Sequence, residues 1–155
     1  MEQYLKQSLV VDELTRLGGR VETQEIDWHR KAFGEDFSQV MATIVSIHLC
    51  GPEIGDEAVK LLVKEHGMLY RLRILDLRWS QIGDAGLRCL RIFSGLSDLD
   101  LRGTRITLQP SRVVRWFPKL HRLGIDRSNV TLIDRLRLRF SGHHIELVTA
   151  DPHES

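Results

Sequence analysis

The chain repeats itself. Four stretches, IVSIHLCGPEI from Ile44, LRILDLRWSQI from Leu72, LSDLDLRGTRI from Leu96 and LHRLGIDRSNV from Leu120, each carry an aliphatic residue at positions one, four, six and eleven. The sixteen slots hold sixteen aliphatic residues, and the starts are separated by 28, 24 and 24 residues. A fixed period in this range is the signature of a solenoid, in which each repeat is one supersecondary unit that buries its apolar face only against its neighbours. The L-x-x-L-x-L run alternates apolar and polar residues, as a half-buried strand does. The segment after the eleventh position has helical spacing. Leu87, Leu90 and Phe93 follow Asp84 in the second repeat, and Val59, Leu62 and Val63 follow Asp56 in the first. An acidic residue at such a helix start complements the macrodipole. The third repeat places Val113, Val114 and Phe117 between Pro110 and Pro118, and the fourth offers Ile133, Leu136 and Phe140.

Outside the repeats, Leu5, Leu9, Val10, Leu14 and Leu17 predict an N-terminal helix that Gly18-Gly19 ends. Val21 to Gln24 reads as a short edge strand. Glu25 to Val40, with Trp28, Phe33 and Phe37, reads as a loop over the open end of the core. Residues 1–42 are thus expected to form a cap, 43–150 four coils plus a closing strand from His144 to Val148, and 151–155 a disordered tail.

These residues carry a family resemblance. The pattern L-x-x-L-x-L-x-x-[N/T/S]-x-[I/L], continued by IGDEAV at Ile54 and IGDAGL at Ile82, resembles the leucine-rich repeat, in particular small bacterial proteins with ribonuclease-inhibitor-like coils. LGGRV after the first helix is similar to the opening segment of such proteins. The resemblance implies an α/β fold: a right-handed solenoid, or horseshoe, with a parallel concave sheet, convex helices and a helical N-terminal cap. It also implies that the ninth position, here Pro52, Ser80, Thr104 and Ser128, hydrogen-bonds loop backbone between coils; Pro52 lacks the hydroxyl for this. The third and fourth repeats replace G-D-A-G-L with TLQPS and TLIDR, so their helices are expected to be short or displaced.

Register determines the candidate site. Parallel strands bring equivalent positions about 4.8 Å apart. The third-position column would hold Ser46, Ile74, Asp98, Arg122 and His144. The fifth would hold His48, Asp76, Asp100, Gly124 and Glu146, and the seventh Cys50, Arg78, Arg102, Asp126 and Val148. Beside the seventh stand Gly51, Trp79, Gly103 and Arg127. An acidic column thus runs beside a basic one, with a Trp at the edge. Arg and Trp are enriched among interface anchors. The expected partner-binding residues are therefore His48, Asp76, Arg78, Trp79, Asp98, Asp100, Arg102, Arg122, Asp126 and Arg127. The competing reading is a surface charge lattice in which Arg78 and Arg102 neutralise Asp76 and Asp100 with no partner at all, such pairs contributing about 0–1 kcal/mol each.

No catalytic residues are expected. Asp76 and Asp100 form a conceivable carboxylate pair with His48 one strand away, but an open sheet excludes little water. G-x-S-x-G, Walker and H-E-x-x-H patterns are missing. Neither a metal nor a cofactor is expected, because His143 and His144 would point to opposite faces of a strand. Cys50 and Cys89 read as reduced thiols of a cytoplasmic protein. No membrane-spanning segment is expected, since no stretch approaches about 20 apolar residues.

Formal net charge is only +1, yet it is unevenly spread. Residues 1–66 carry seven Lys/Arg against twelve Asp/Glu, and residues 67–155 fifteen against nine. Arg112, Arg115, Lys119, Arg135, Arg137 and Arg139 lie in the basic half. The preferred expectation is a monomer that binds a protein partner of unknown identity through the concave face. The alternative is binding of nucleic acid or anionic membrane through the basic C-terminal half.

Overall fold

The computed structural model describes residues 2–24, 43–140 and 146–150. Helix α1 spans Glu2–Arg16 and strand β1 Arg20–Gln24. There follow β2 (Thr43–His48), α2 (Asp56–Lys64), β3 (Ile74–Asp76), α3 (Asp84–Cys89), β4 (Asp98–Asp100), α4 (Pro110–Trp116), β5 (Arg122–Asp126), α5 (Leu132–Phe140) and β6 (Glu146–Ala150). The chain is a mixed α/β fold. Its six strands lie in sequence order in one open sheet, with β1 antiparallel to β2 and every later pair parallel.

The repeat register is the register of the sheet. Ile47 pairs with Leu75, Leu75 with Leu99, and Leu99 with Leu123. Fifteen of the sixteen repeat aliphatics are buried, Val130 being the partly exposed one. Fourteen of them, all but Ile125, form one cluster with Val10 and Leu14 of α1 and with the inward residues of α2 to α5. Side chains alternate across a strand, so burying Leu75 and Leu99 turns Asp76 and Asp100 to the opposite, open face.

Turns between coils are equally periodic. The N–H of Gly51 donates to the Arg78 carbonyl at 3.0 Å, and the N–H of Trp79 to the Arg102 carbonyl at 2.9 Å. Asp56 and Asp84, each in the first turn of its helix, reach forward to the next coil. Asp84 accepts from the Thr107 amide (2.9 Å), the Thr107 hydroxyl (2.6 Å) and the Leu108 amide (3.3 Å). At the other end, α1 stops where Gly18 takes φ +84°. The N–H of Gly18 then donates to Thr15 and that of Gly19 to Leu14, a Schellman closure.

Several expectations need correction. The last strand is shifted by two residues: Arg122 pairs with Glu146 and Gly124 with Val148, so Glu146 belongs to the third column and Val148 to the fifth. Helix α5 is nine residues long, as long as α2, but it turns a different face inward. Ile133 and Leu136 are exposed, and Asp134 and Leu138 are buried instead. The cause is local. Asp134 accepts from the Thr131 amide (3.1 Å), the Thr131 hydroxyl (2.6 Å) and the Ser111 hydroxyl (3.1 Å), which anchors the first turn with residue 134 inward. Residue 138, four further on, follows on the same stripe. Two of the three ninth-position hydroxyls do not bridge coils. That of Thr104 donates to Leu101 of its own coil at 2.6 Å, and that of Ser80 is buried without a hydrogen-bond partner. The expected loop from Glu25 to Val40, His143-His144, the Phe140 side chain and the tail 151–155 fall outside the described residues.

Candidate functional site

The open face is organised by a motif used twice. In coil two, Asp76 lies two residues before Arg78, so both side chains emerge on the same face of the strand. Asp76 Oδ1 accepts the Arg78 amide N–H at 3.1 Å, a local turn that ends β3. The guanidinium folds back onto the same carboxylate, with Nε at 3.0 and 3.1 Å from its two oxygens and a terminal nitrogen at 2.8 Å. Coil three repeats this: Arg102 reaches Asp100 with its amide at 3.2 Å, Nε at 2.9 and 3.2 Å and a terminal nitrogen at 2.6 Å. Arg78 Nε also stands 3.8 Å from Asp100, tying one fork to the next. Coil four has Gly124 at the equivalent position, and β5 runs on to Asp126. A Cβ on Gly124 would collide with the Asp100 carboxylate, so the glycine makes room for the fork beside it.

These contacts set the charge states. Burial works against ionisation of Asp76. The hydrogen bonds from the Arg78 side chain and amide, with lesser ones from Cys50 and His48, outweigh it and hold the carboxyl down at about 2. Arg78 and Arg102 are both pushed further up by their aspartates. The Cys50 thiol goes the other way, raised to about 11 by burial and then by the neighbouring Asp76. A thiol so raised is a poor nucleophile at neutral pH.

A three-residue relay adjoins the first fork. His48 Nδ1 lies 3.3 Å from Asp76 Oδ2, and the Ser46 hydroxyl 3.0 Å from His48 Nε2. Nδ1 thus faces Asp76, while Nε2 faces the Ser46 hydroxyl and, at 3.8 Å, the Glu22 carboxylate. Ser46 is the residue that sequence reasoning missed. The signal for it was the third column, where it sits two residues before His48 on the same face. Its hydroxyl is not positioned to meet a substrate: Ser46 is 1% exposed, and its strand is flanked by β1 and β3.

The forks and His48 line a concavity of about 310 Å³ on the open face. Seven of the ten candidates, His48, Asp76, Arg78, Asp98, Asp100, Arg102 and Arg122, belong to it. Trp79, Asp126 and Arg127 do not line it. Asp126 accepts the Gly103 N–H at 3.0 and 3.1 Å and so holds a turn, and Arg127 opens a short 3-10 turn over Arg127–Asn129. No family model matches the chain, and no curated protein matches it.

Trp79 stands at the rim beside Arg78. It is 42% exposed, and its backbone adopts φ +61°, the left-handed region. The equivalent residues of the flanking coils are Gly51 at φ +118° and Gly103 at φ +69°. The turn thus demands a conformation natural to glycine, which costs an L-residue roughly 1–2 kcal/mol. The indole packs against Gly103, where a Cβ would collide with it. Among the described residues, no group of three or more His, Cys, Asp or Glu is placed to hold a metal ion, and no helix is long and apolar enough to cross a membrane.

Proposed function

We propose that the chain is a leucine-rich-repeat solenoid that works in the cytoplasm as a non-catalytic binding module, docking a protein partner on its concave strand face. Support for the solenoid comes from the strictly sequential parallel strands, the in-register repeat leucines and a helix after each strand from β2 to β5. The observation that carries the binding reading is Trp79: a large, half-exposed aromatic kept in a strained backbone conformation where its neighbours are glycine. Strain of this kind persists where the surroundings over-determine it, and it clusters at functional positions.

The forks refine the partner's chemistry. Arg78 and Arg102 are already neutralised by Asp76 and Asp100, so the face does not call for a strongly acidic partner. Each guanidinium has five N–H donors, and the fork leaves some for a partner's carbonyl oxygens. Because their orientation is fixed in advance, docking loses less side-chain entropy. The indole would fill an apolar recess on the partner.

The test starts from a partner recovered on the immobilised full chain and purified. Trp79→Ala should weaken its binding by at least about 2 kcal/mol if the indole is a hot spot, whereas Lys60→Ala on α2 should leave it unchanged. Unchanged affinity in Trp79→Ala and in Asp98→Ala together would move the interface off this face.

A further inference from the structure

The opposite side of the molecule holds arginines that are treated quite differently. The segment Thr107–Gln109, helix α4 and helix α5 enclose a recess of about 380 Å³. Arg112 and Arg115, three apart on α4, and Arg137 from α5 line it, together with Thr107, Gln109 and Ser111. No carboxylate lines it. Among the described residues, none of the three guanidinium groups has an ion-pair partner.

Acids do border this region, and they are held by other groups. Asp84 is occupied by the Thr107 amide and hydroxyl and the Leu108 amide. Asp134 is occupied by Thr131 and by the Ser111 hydroxyl. Neither carboxylate lines the recess, although the charge of Arg137 does act on Asp134. Three positive groups therefore face the recess with that one partial offset.

We infer that this recess is a binding site for a phosphate monoester, seated between Arg112, Arg115 and Arg137. The chemistry matches in charge and in shape. A phosphate monoester carries about −1.5 to −2 charges at neutral pH and offers three acceptor oxygens. Planar guanidinium groups present paired N–H donors that meet such oxygens two at a time. The Gln109 amide supplies a further donor at the rim. The recess exceeds a phosphate in size, leaving space for part of the group that bears it. That group is either a small soluble molecule or a lipid headgroup.

The test uses the full chain and two probes. Inorganic phosphate is titrated at low salt while backbone amide resonances are followed. Saturable shifts are expected, concentrated at Thr107–Arg115 and Arg137. Arg112→Gln, Arg115→Gln and Arg137→Gln should each weaken binding by at least about tenfold, the loss of one charge-assisted contact. Lys119→Gln and Lys60→Gln should bind as wild type does. All five positions are exposed, so the variants should keep the wild-type melting temperature, which is measured in parallel. The second probe is a phosphatidylcholine vesicle carrying phosphatidic acid, with plain phosphatidylcholine as control. Recruitment that inorganic phosphate reverses identifies a lipid source, and phosphate binding without recruitment identifies a soluble one. Absence of saturable shifts, or equal binding by the three arginine variants, overturns the site.

Discussion

Arginines on the open strand face and arginines beside α4 and α5 are the same residue in two electrical conditions. Arg78 and Arg102 each follow an aspartate by two residues on a strand, and that spacing folds the guanidinium back on the carboxylate. Arg112 and Arg115 lie on a helix, α4, that contains no acidic residue. Arg137 shares α5 with Asp134 and acts on it only through space, the hydrogen bonds of that carboxylate coming from threonine and serine hydroxyls. Sequence charge alone cannot separate the two cases. Local spacing can: a strand converts Asp-x-Arg into a rigid neutral fork, and a helix converts Arg-x-x-Arg into an uncompensated pair. The first arrangement suits a docking platform, and the second suits capture of an anion.

The largest expected difference between the regions is in stability. Asp76→Ala removes the acceptor of four Arg78 hydrogen bonds and of the His48 contact. A cost of about 1.5–3 kcal/mol follows for hydrogen bonds to a charged group. Arg115→Gln should stay within about 0.5 kcal/mol, as surface substitutions do. Urea denaturation of both variants checks this. Equal midpoints would mean that the fork is ornamental and that the two arginine sets are energetically alike.

Acid should expose the same asymmetry. The Asp76 carboxyl lies at about 2 when folded, well below the ordinary aspartate range. Its folded value is depressed, so its contribution is complete above the unfolded value and disappears as pH falls through that window. The amount is at most about 2 kcal/mol once solvent screening is allowed for. Asp84 and Asp134, also lowered, lose stability over an acid window of the same sign, through hydroxyl and amide contacts instead. Denaturant midpoints measured from pH 6 downward should therefore fall for wild type and fall less for Asp76→Asn. Parallel curves would detach the fork from the acid response.

Much of this was legible in the chain itself, for physical reasons. The repeat leucines are buried because a strand face and a period together leave them no other place, and Ile47, Leu75, Leu99 and Leu123 align accordingly. Bringing His48, Asp76 and Asp100 to one face followed from the same register. What escaped was set by polar side chains acting locally. Asp134 turns α5 and exposes Ile133 and Leu136, a rotation that hydrophobic spacing cannot foresee. The two-residue shift of β6 arises where the repeat pattern has ended and no leucine quartet sets the register. The pairing of Asp76 with Arg78 and of Asp100 with Arg102 was legible as the charge-lattice reading, and the structure shows both pairs. Trp79's strain had a signal, the glycines on either side of it in the column of Gly51 and Gly103.

That signal yields a smaller test at the edge of the open strand face. Trp79→Ala keeps the left-handed cost, and Trp79→Gly removes it. The Gly variant should therefore be more stable than the Ala variant by about 1 kcal/mol, an inversion of the usual order. Both should lose partner affinity alike. If Ala proves the more stable, the left-handed turn is not retained in solution.

The smallest expected effect concerns nucleic acid, and it separates one captured phosphate from a polyanion track. A protein that neutralises several phosphates loses affinity steeply with salt, with a logarithmic slope of about −0.7 for each phosphate of a single strand. The recess beside α4 is lined by three arginines, and Arg78 and Arg102 of the strand face are already neutralised by their own aspartates. Net charge for the whole chain is only +1. A strand of nucleic acid would then engage about one phosphate strongly and gain little from the rest. No complex is expected at physiological salt, and at low salt the slope should be close to that of a single contact. Fluorescence anisotropy with a labelled single-stranded oligonucleotide, repeated for Arg135, Arg137 and Arg139 changed together to Gln, measures it. A steep slope in wild type that the triple variant flattens would show that the basic side is a continuous track, and the contrast between a fork and a single-phosphate recess would no longer describe this molecule.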